Sequence, residues 1–129
     1  MGKLIKALKK KEDLLVGKSV SKEDIYDAEQ VLNVNFAKEY IEYLEEFGFA
    51  CYDGHELTGI CKAKRLNVVE VTIKERNYVK SLPEGAYVIE EAHIDGIVIW
   101  QVKSGEIYQT HGNGSITRLC DSLYEYVNL

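Results

Sequence analysis

The chain has 129 residues and a formal net charge of −5, and 46% of its residues are apolar. This length fits one domain, residues 1–129, with a single hydrophobic core. No apolar run approaches the roughly 18 residues that a membrane-spanning helix needs, and no long apolar segment follows the basic N-terminus as it would in a secretory signal. These features predict a cytoplasmic globular protein without a membrane partner.

Charge is unevenly distributed. The N-terminal segment, residues 1–15, is basic, because residues 1–11 hold five lysines and no acid. Residues 12–129 therefore carry a formal −10. An acidic body disfavours direct binding to nucleic-acid phosphates and suits a basic protein partner. The other interpretation is that the charge serves solubility alone.

The first half of the chain predicts three helices. Leu4, Ile5 and Leu8 form an apolar stripe among lysines, which predicts a helix over about residues 2–14 that packs on the domain's own core. A second helix follows a capping serine over about 22–33, and a third spans about 37–47 and ends before a glycine.

The second half predicts mainly strands. Asp53-Gly54 predicts a tight turn between strands over 49–52 and 55–58. Short turns then join three antiparallel strands into a meander, and a connector leads into a last helix. We place the three strands at 86–92, 97–102 and 106–110, the connector at 111–115 and the last helix at about 118–128. The fold class is α+β, a mostly antiparallel sheet with helices packed over it.

Sites for chemistry are weakly indicated. Cys51, Asp53 and His55 combine a nucleophile, a carboxylate and a base, but closeness in sequence across a turn is weak evidence for catalysis. The three histidines lack the close ligand pairs of zinc sites, so we expect neither metal nor cofactor. The three cysteines, an odd number without C-x-x-C spacing, predict unpaired thiols in a reducing compartment.

Acidic and aromatic side chains remain as candidates for binding. Glu90 and Glu91 are adjacent on a strand, so they point to opposite faces, and we expect a solvated strand end there. Most aromatic residues recur at core spacing. The pattern leaves Tyr52, Tyr78 and Tyr87 less constrained, and these three could be exposed.

Two local patterns resemble the SUKH superfamily: a helix–break–helix over residues 29–48 and a strand–turn–strand over residues 97–108. The resemblance covers about residues 21–128. Its matching positions are Glu29, Leu32, Tyr40, Leu44, Gly48, Gly54, Leu57, Gly59, Leu82, Pro83, Gly105, Ile107, Tyr108 and the run Ser122–Tyr126. Residues 67–80 favour strand by composition and helix by capping. The resemblance implies a helix there, and we predict one.

The chain departs from the family pattern at three positions. Asn33 and Ala37 stand where relatives usually have Gly and Pro between the first two core helices. Asn tolerates the left-handed conformation, and Ala is a good helix former. Gln101 stands where an Asp is common on the central strand. A partner contact made by that Asp would not carry over to this chain.

The resemblance implies a small α+β protein without enzymatic activity, and many relatives are immunity proteins that neutralise a toxin. The expected partner is a cognate toxin, a nuclease or deaminase domain with a basic surface, bound by a monomer or weak homodimer. The alternative is an adaptor or regulatory domain of the same fold. The candidate partner-binding residues are Asp53, Glu56, Glu90, Glu91 and Asp95.

Overall fold

The computed structural model describes residues 2–129, and within them the fold is α+β, as predicted. The helices are α1 (Lys3–Lys9), α2 (Lys22–Leu32), α3 (Lys38–Phe47), α4 (Val68–Arg76) and α5 (Leu123–Val127). The strands are β1 (Leu15–Val16), β2 (Ala50–Tyr52), β3 (His55–Leu57), β4 (Tyr87–Glu91), β5 (Val98–Gln101), β6 (Ile107–Thr110) and β7 (Ile116–Cys120). A 3₁₀ turn, Lys64–Leu66, precedes α4.

Helices α2 and α3 confirm the sequence prediction to within a residue. The Ser21 hydroxyl accepts a hydrogen bond from the Asp24 N–H at 3.1 Å, which caps α2. Asn33 then adopts the left-handed conformation (φ 55°) and ends the helix, as glycine would.

Helix α1 is shorter than predicted and ends at Lys9, but it packs on the domain's own core as expected. Leu4, Ile5 and Leu8 are buried, and α1 contacts α3 and α5. The lysines of α1 therefore face outward from a helix that is held in place by its apolar side.

The strands form two antiparallel sheets, ordered β1-β2-β3 and β4-β5-β6-β7. Both residues of the Asp53-Gly54 turn have positive φ, 46° and 79°, which confirms the predicted hairpin. Thr58, just after β3, joins the two sheets. Its N–H donates to the Ile89 carbonyl and its hydroxyl to the Val88 carbonyl, both at 2.7 Å.

The predicted helix over residues 67–80 is confirmed as α4. The Asn67 side chain accepts from the N–H groups of Val69 and Glu70 and caps the helix. Val71 packs with Trp100 on the outer face of the second sheet. The other face of that sheet meets the main core, so β5 is buried on both sides, as its apolar sequence predicted.

The predicted last helix over 118–128 is wrong in its first half. Residues 116–120 form β7, which pairs with β6, and the helix begins only at Leu123. Residues 111–115 are the turn between these two strands. The short edge strand β1 was not predicted either.

Two of the three tyrosines that the sequence pattern left less constrained are buried. Tyr52 is 4% exposed and Tyr87 is 0% exposed, whereas Tyr78 is 76% exposed. Tyr87 packs edge-on against Phe36 at 4.8 Å and lies 5.1 Å from the Tyr40 ring. An aromatic cluster therefore joins α3 to β4.

Candidate functional site

The carboxylate of Glu90 is the centre of a buried polar cluster. A bulge in β4 between Val88 and Glu90 places Glu90 opposite Ile99, where it is only 4% exposed. The expectation of a solvated strand end is therefore wrong for Glu90, because the bulge turns its side chain toward the space between the two sheets.

Three groups from two elements surround this carboxylate. The Tyr126 hydroxyl donates to it at 2.6 Å, and the Glu56 N–H donates at 2.9 Å. His55 Nδ1 lies 3.1 Å from Oε1, the oxygen that accepts from Tyr126, and 3.3 Å from Oε2, the oxygen that accepts from Glu56. Burial, and then the negative charge of Glu90, raises the pKa of Tyr126. Glu90 thus links β3, β4 and α5.

Glu91 points to the opposite face, as the alternation of a strand requires. Its carboxylate lies 2.7 Å from Lys74 Nζ and hydrogen-bonds to Glu75. Burial and the hydrogen bond to Glu91 raise the pKa of Glu75 to about 7. Burial opposes ionisation of Glu91 as well, but its bonds to Glu75 and Lys74 lower its pKa. Glu91 therefore belongs to a cluster on α4, apart from the hairpin.

Of the remaining three candidates, Asp53 and Glu56 lie in the β2–β3 hairpin and Asp95 lies in the turn between β4 and β5. Asp53 is exposed in the turn, and its N–H donates to the Asp13 carboxylate at 2.8 Å. Glu56 is half-buried, and the hydrogen bond from Arg65 at 2.6 Å lowers the Glu56 pKa. Asp95 is exposed in the turn between β4 and β5 (φ 52°).

A cleft of about 380 Å³ opens beside Asp53. Its apolar walls come from the loop before β5, from β5 and β7, and from α5. Its polar groups come from the segment after α1, from the hairpin, from β6 and from α5. The walls include Ile97, Ile99, Leu119 and Val127, and the polar lining residues are Lys11, Tyr52, Asp53, His55, Gln109 and Tyr126. This combination of apolar walls and a few polar groups suits the binding of a side chain or small molecule.

Tyr52 is the unusual member of this lining. Its hydroxyl is buried and has no hydrogen-bond partner among residues 2–129. Burial, followed by the charges of Glu90 and Asp53, raises the Tyr52 pKa, so the phenol stays neutral. Lys11 Nζ lies 5.1 Å from the Tyr52 ring centroid and donates to the Val127 carbonyl at 3.0 Å.

The geometry gives little support to nucleophilic catalysis at this end of the molecule. Burial, together with the charge of Glu56, raises the Cys51 pKa, which favours the less reactive thiol. His55 is engaged with Glu90, and no hydrogen bond joins it to Cys51 in the described chain. Within residues 2–129 no cluster of three or more His, Cys, Asp or Glu residues could hold a metal ion.

Gln101 and Ala37, two of the departures from the family pattern, take part in one buried hydrogen-bond chain. The Ala37 N–H donates to the Tyr87 hydroxyl at 2.8 Å, and this hydroxyl donates to Gln101 Oε1 at 2.9 Å. Gln101 Nε2 donates to Glu39 at 2.8 Å. Proline at position 37 would remove the first donor. Gln101 is 0% exposed and therefore serves the core and not a partner surface.

The sequence predicted the hairpin acids Asp53 and Glu56 as candidate residues, but it did not predict the cleft. Tyr52 and Tyr126 line it from distant parts of the chain, and no periodic pattern brings them together. The sequence shows that the N-terminal segment is basic, but it gives no sign that Lys11 lies against Tyr52. Only the bulge in β4 and the docking of α5 create this neighbourhood.

None of the helices in residues 2–129 has the length and apolar character needed to cross a membrane.

Comparison with known proteins agrees with the α+β architecture. No curated protein matches the chain. The family model SUKH_5, described as SMI1-KNR4 cell-wall, matches residues 1–128, nearly the whole sequence. The chain therefore belongs to the SUKH_5 family of SMI1-KNR4-like proteins.

Proposed function

We propose that this protein is an immunity protein, which binds a cognate toxin in the cytoplasm and blocks it by occlusion without a cofactor. Membership of a SUKH family supports this proposal, because that superfamily includes immunity proteins. The observation that carries it is the apolar cleft bordered by Asp53, with Asp95 on the adjoining loop. Such a cleft suits an anchor side chain of a protein partner.

The charge of the chain indicates the chemistry of that partner. Residues 12–129 carry a formal −10, and the carboxylates of Asp53 and Asp95 have no hydrogen-bond or ion-pair partner in the described chain. An acidic surface attracts a basic one and speeds encounter. A nuclease or deaminase toxin, which must bind a polyanionic substrate, presents such a basic surface.

The proposed contact surface comprises Asp53, which lines the cleft, together with Glu56 on β3 and Asp95 in the turn between β4 and β5. The buried Glu90 carboxylate supports this surface, because it accepts a hydrogen bond from the Glu56 N–H and contacts His55 Nδ1. Glu91 lies on the α4 face and would not contact the same partner area. A complex of nanomolar affinity requires about −12 kcal/mol. It would bury roughly 800 Å² on each partner, so residues beyond these three must contribute.

The test is growth of a host that expresses the toxin-like domain encoded beside this gene, with and without this protein. Rescue, together with a complex that co-purifies, is the expected result. The double variant Asp53→Asn/Asp95→Asn should lose rescue. Glu23→Gln/Glu84→Gln, which removes two exposed acids elsewhere, should keep it. A toxic domain without rescue by the wild-type protein would refute the proposal.

The alternative is an adaptor domain that binds a host protein and has no toxin partner. One observation favours it: the description of the matching family names SMI1-KNR4 and the cell wall, and no toxin. A pull-down that recovers a host protein through the same acidic surface, with no toxic neighbour, would support this alternative.

A further inference from the structure

The Tyr52 hydroxyl is the single buried side-chain N or O atom of residues 2–129 that lacks a hydrogen-bond partner. Buried polar groups in native proteins almost always have one, supplied by protein, water or ligand. Tyr52 lines the 380 Å³ cleft, but its hydroxyl is closed off from solvent. A guest in the cleft supplies the missing partner only after a small side-chain movement uncovers this oxygen. The hydroxyl oxygen can accept a hydrogen bond as well as donate one.

The charges around this hydroxyl favour a donor over an acceptor. The carboxylates of Glu90 and Asp53 both act on Tyr52. Asp53 stands at the mouth of the cleft, and the Asp13 carboxylate lies against its backbone. Lys11 is the one lysine or arginine that lines the cleft. An anionic guest would therefore be repelled by the Asp53 carboxylate, whereas a cationic guest would be attracted to it.

Lys11 shows how a cation fits here. Its ammonium lies 5.1 Å from the Tyr52 ring centroid, within the range of a cation–π contact, and donates to one backbone carbonyl of α5. The aromatic face of Tyr52 and the Val127 carbonyl thus already hold one cation of the protein's own chain. The apolar walls, Ile97 and Leu119 among them, could cover the aliphatic stem of a second one.

We propose that this cleft receives a cationic side chain, arginine or lysine, from the protein partner. The aliphatic stem lies along the apolar walls, and the charged end meets the Asp53 carboxylate and donates to the Tyr52 oxygen. The positive charge of Lys11 opposes binding of this side chain, because the two cations repel each other. The inference rests on the proposed function only for the identity of the partner, because the chemistry of the cleft can be measured without it.

The experiment is a titration of the ¹⁵N-labelled protein, followed by NMR, with N-acetyl-arginine amide, N-acetyl-lysine amide and N-acetyl-citrulline amide. Citrulline has nearly the shape of arginine but no charge. The first two probes should shift signals of residues that line the cleft. The ratio of their dissociation constants shows whether the cleft prefers arginine or lysine. Citrulline should bind more weakly, by up to about fivefold, as expected for the loss of one ion pair with an exposed carboxylate. Equal binding of arginine and citrulline would overturn the proposal, because the cleft would then not recognise the charge. Binding of none of the three probes would overturn it as well.

Three variants sharpen the result. Lys11→Met should tighten arginine binding, whereas a site for anions would be weakened by the same change. Asp53→Asn and Tyr52→Phe should weaken arginine binding, with an unchanged spectrum elsewhere to show that the fold is intact. Failure to rescue a host, with arginine binding preserved, would refute immunity alone. Rescue without a preference for the cationic probes would refute the cleft assignment alone.

Discussion

At the scale of single residues, Glu90 carries the most interactions at the hairpin end. It receives hydrogen bonds from Glu56 and Tyr126 and contacts His55, across sequence separations of 34 to 36 residues. Sequence reasoning identified Glu90 as a site residue but placed it in solvent, since strand alternation alone cannot reveal a bulge. Asp53 and Asp95 were placed correctly in exposed turns because glycine follows each of them.

Replacing Glu90 by Ala should destabilise the fold strongly. The change would leave the Tyr126 hydroxyl and the Glu56 N–H without their acceptor, and breaking a buried charged network costs about 3–5 kcal/mol. Urea unfolding monitored by circular dichroism measures the loss. Asp53→Asn, an exposed neighbour, should stay within about 0.5 kcal/mol of wild type. A loss of similar size in both variants would contradict a special role for Glu90.

Glu75 should make stability fall as pH rises through neutrality. Its folded-state pKa of about 7 lies above the ordinary value of 4.5, so the protonated form is favoured in the folded state. The stabilisation that this provides is fully present below pH 4.5 and is lost as pH rises through about 7. Glu91 has the opposite shift, and its contribution is lost only as pH falls below its unfolded value.

The variant Glu75→Gln checks this expectation, because glutamine can donate to Glu91 at every pH. The free energy of unfolding between pH 5 and 8 should depend less on pH than in wild type, and the variant should be more stable at pH 8. Glu84→Gln, in an exposed loop, serves as the matched control. An unchanged pH slope in Glu75→Gln would show that another group dominates.

At the scale of elements, prediction succeeded where local signals agreed with tertiary contacts. Helices α2 and α4 have capping side chains, Ser21 and Asn67, before their first turns, and α3 ends at Gly48, which has a positive φ. Both residues of the Asp53-Gly54 turn also have positive φ, the geometry that this residue pair favours. The last helix was misplaced because Leu119 and Leu123 share helical spacing. A missed signal was available: Ser122 and Glu125 form the S-x-x-E pattern of a helix start, and Ser122 does cap α5.

Helix α5 depends on a carboxylate from α3. Glu39 accepts hydrogen bonds from the N–H groups of Leu123 at 2.6 Å and Tyr124 at 3.1 Å, and from Gln101. Glu39→Ala should cost about 2–3 kcal/mol, the sum of a lost cap and an orphaned amide. Amide hydrogen exchange at Leu123 and Tyr124 should speed up first. Glu42→Ala, an exposed change on the same helix, should alter neither quantity.

The backbone contact between Gly48 and Gly59 should tolerate no side chain. A methyl group at Gly59 would lie 1.6 Å from the Gly48 carbonyl oxygen, which accepts from the Ile60 N–H. Gly59→Ala should therefore cost about 3 kcal/mol or more, because the rigid backbone must move. Gly114→Ala, in open space with φ of 88°, should cost only about 1–2 kcal/mol. Thermal unfolding distinguishes the two, and equal losses would show that the close contact is readily relieved.

At the scale of the whole molecule, charge separates a basic helix from an acidic body. Five lysines lie in residues 1–11, whereas residues 12–129 are formally −10. If the partner is basic, the association rate should fall at least about tenfold between low and high salt. Lys6→Gln/Lys10→Gln should raise the rate at low salt by removing repulsion. Stopped-flow mixing measures the salt dependence of the association rate and the effect of the double variant. An association rate that does not change with salt would exclude electrostatic steering.

The long-range cap on α5 also has a consequence for synthesis. A five-residue helix does not persist alone in water, and here its first turn is bonded to a residue 84 positions earlier. While the ribosome makes the rest of the chain, water therefore takes the place of the Leu123 and Tyr124 amides at the Glu39 carboxylate. The nascent protein would stay incomplete, and open to proteases and chaperones, until residues 123–127 emerge and close it.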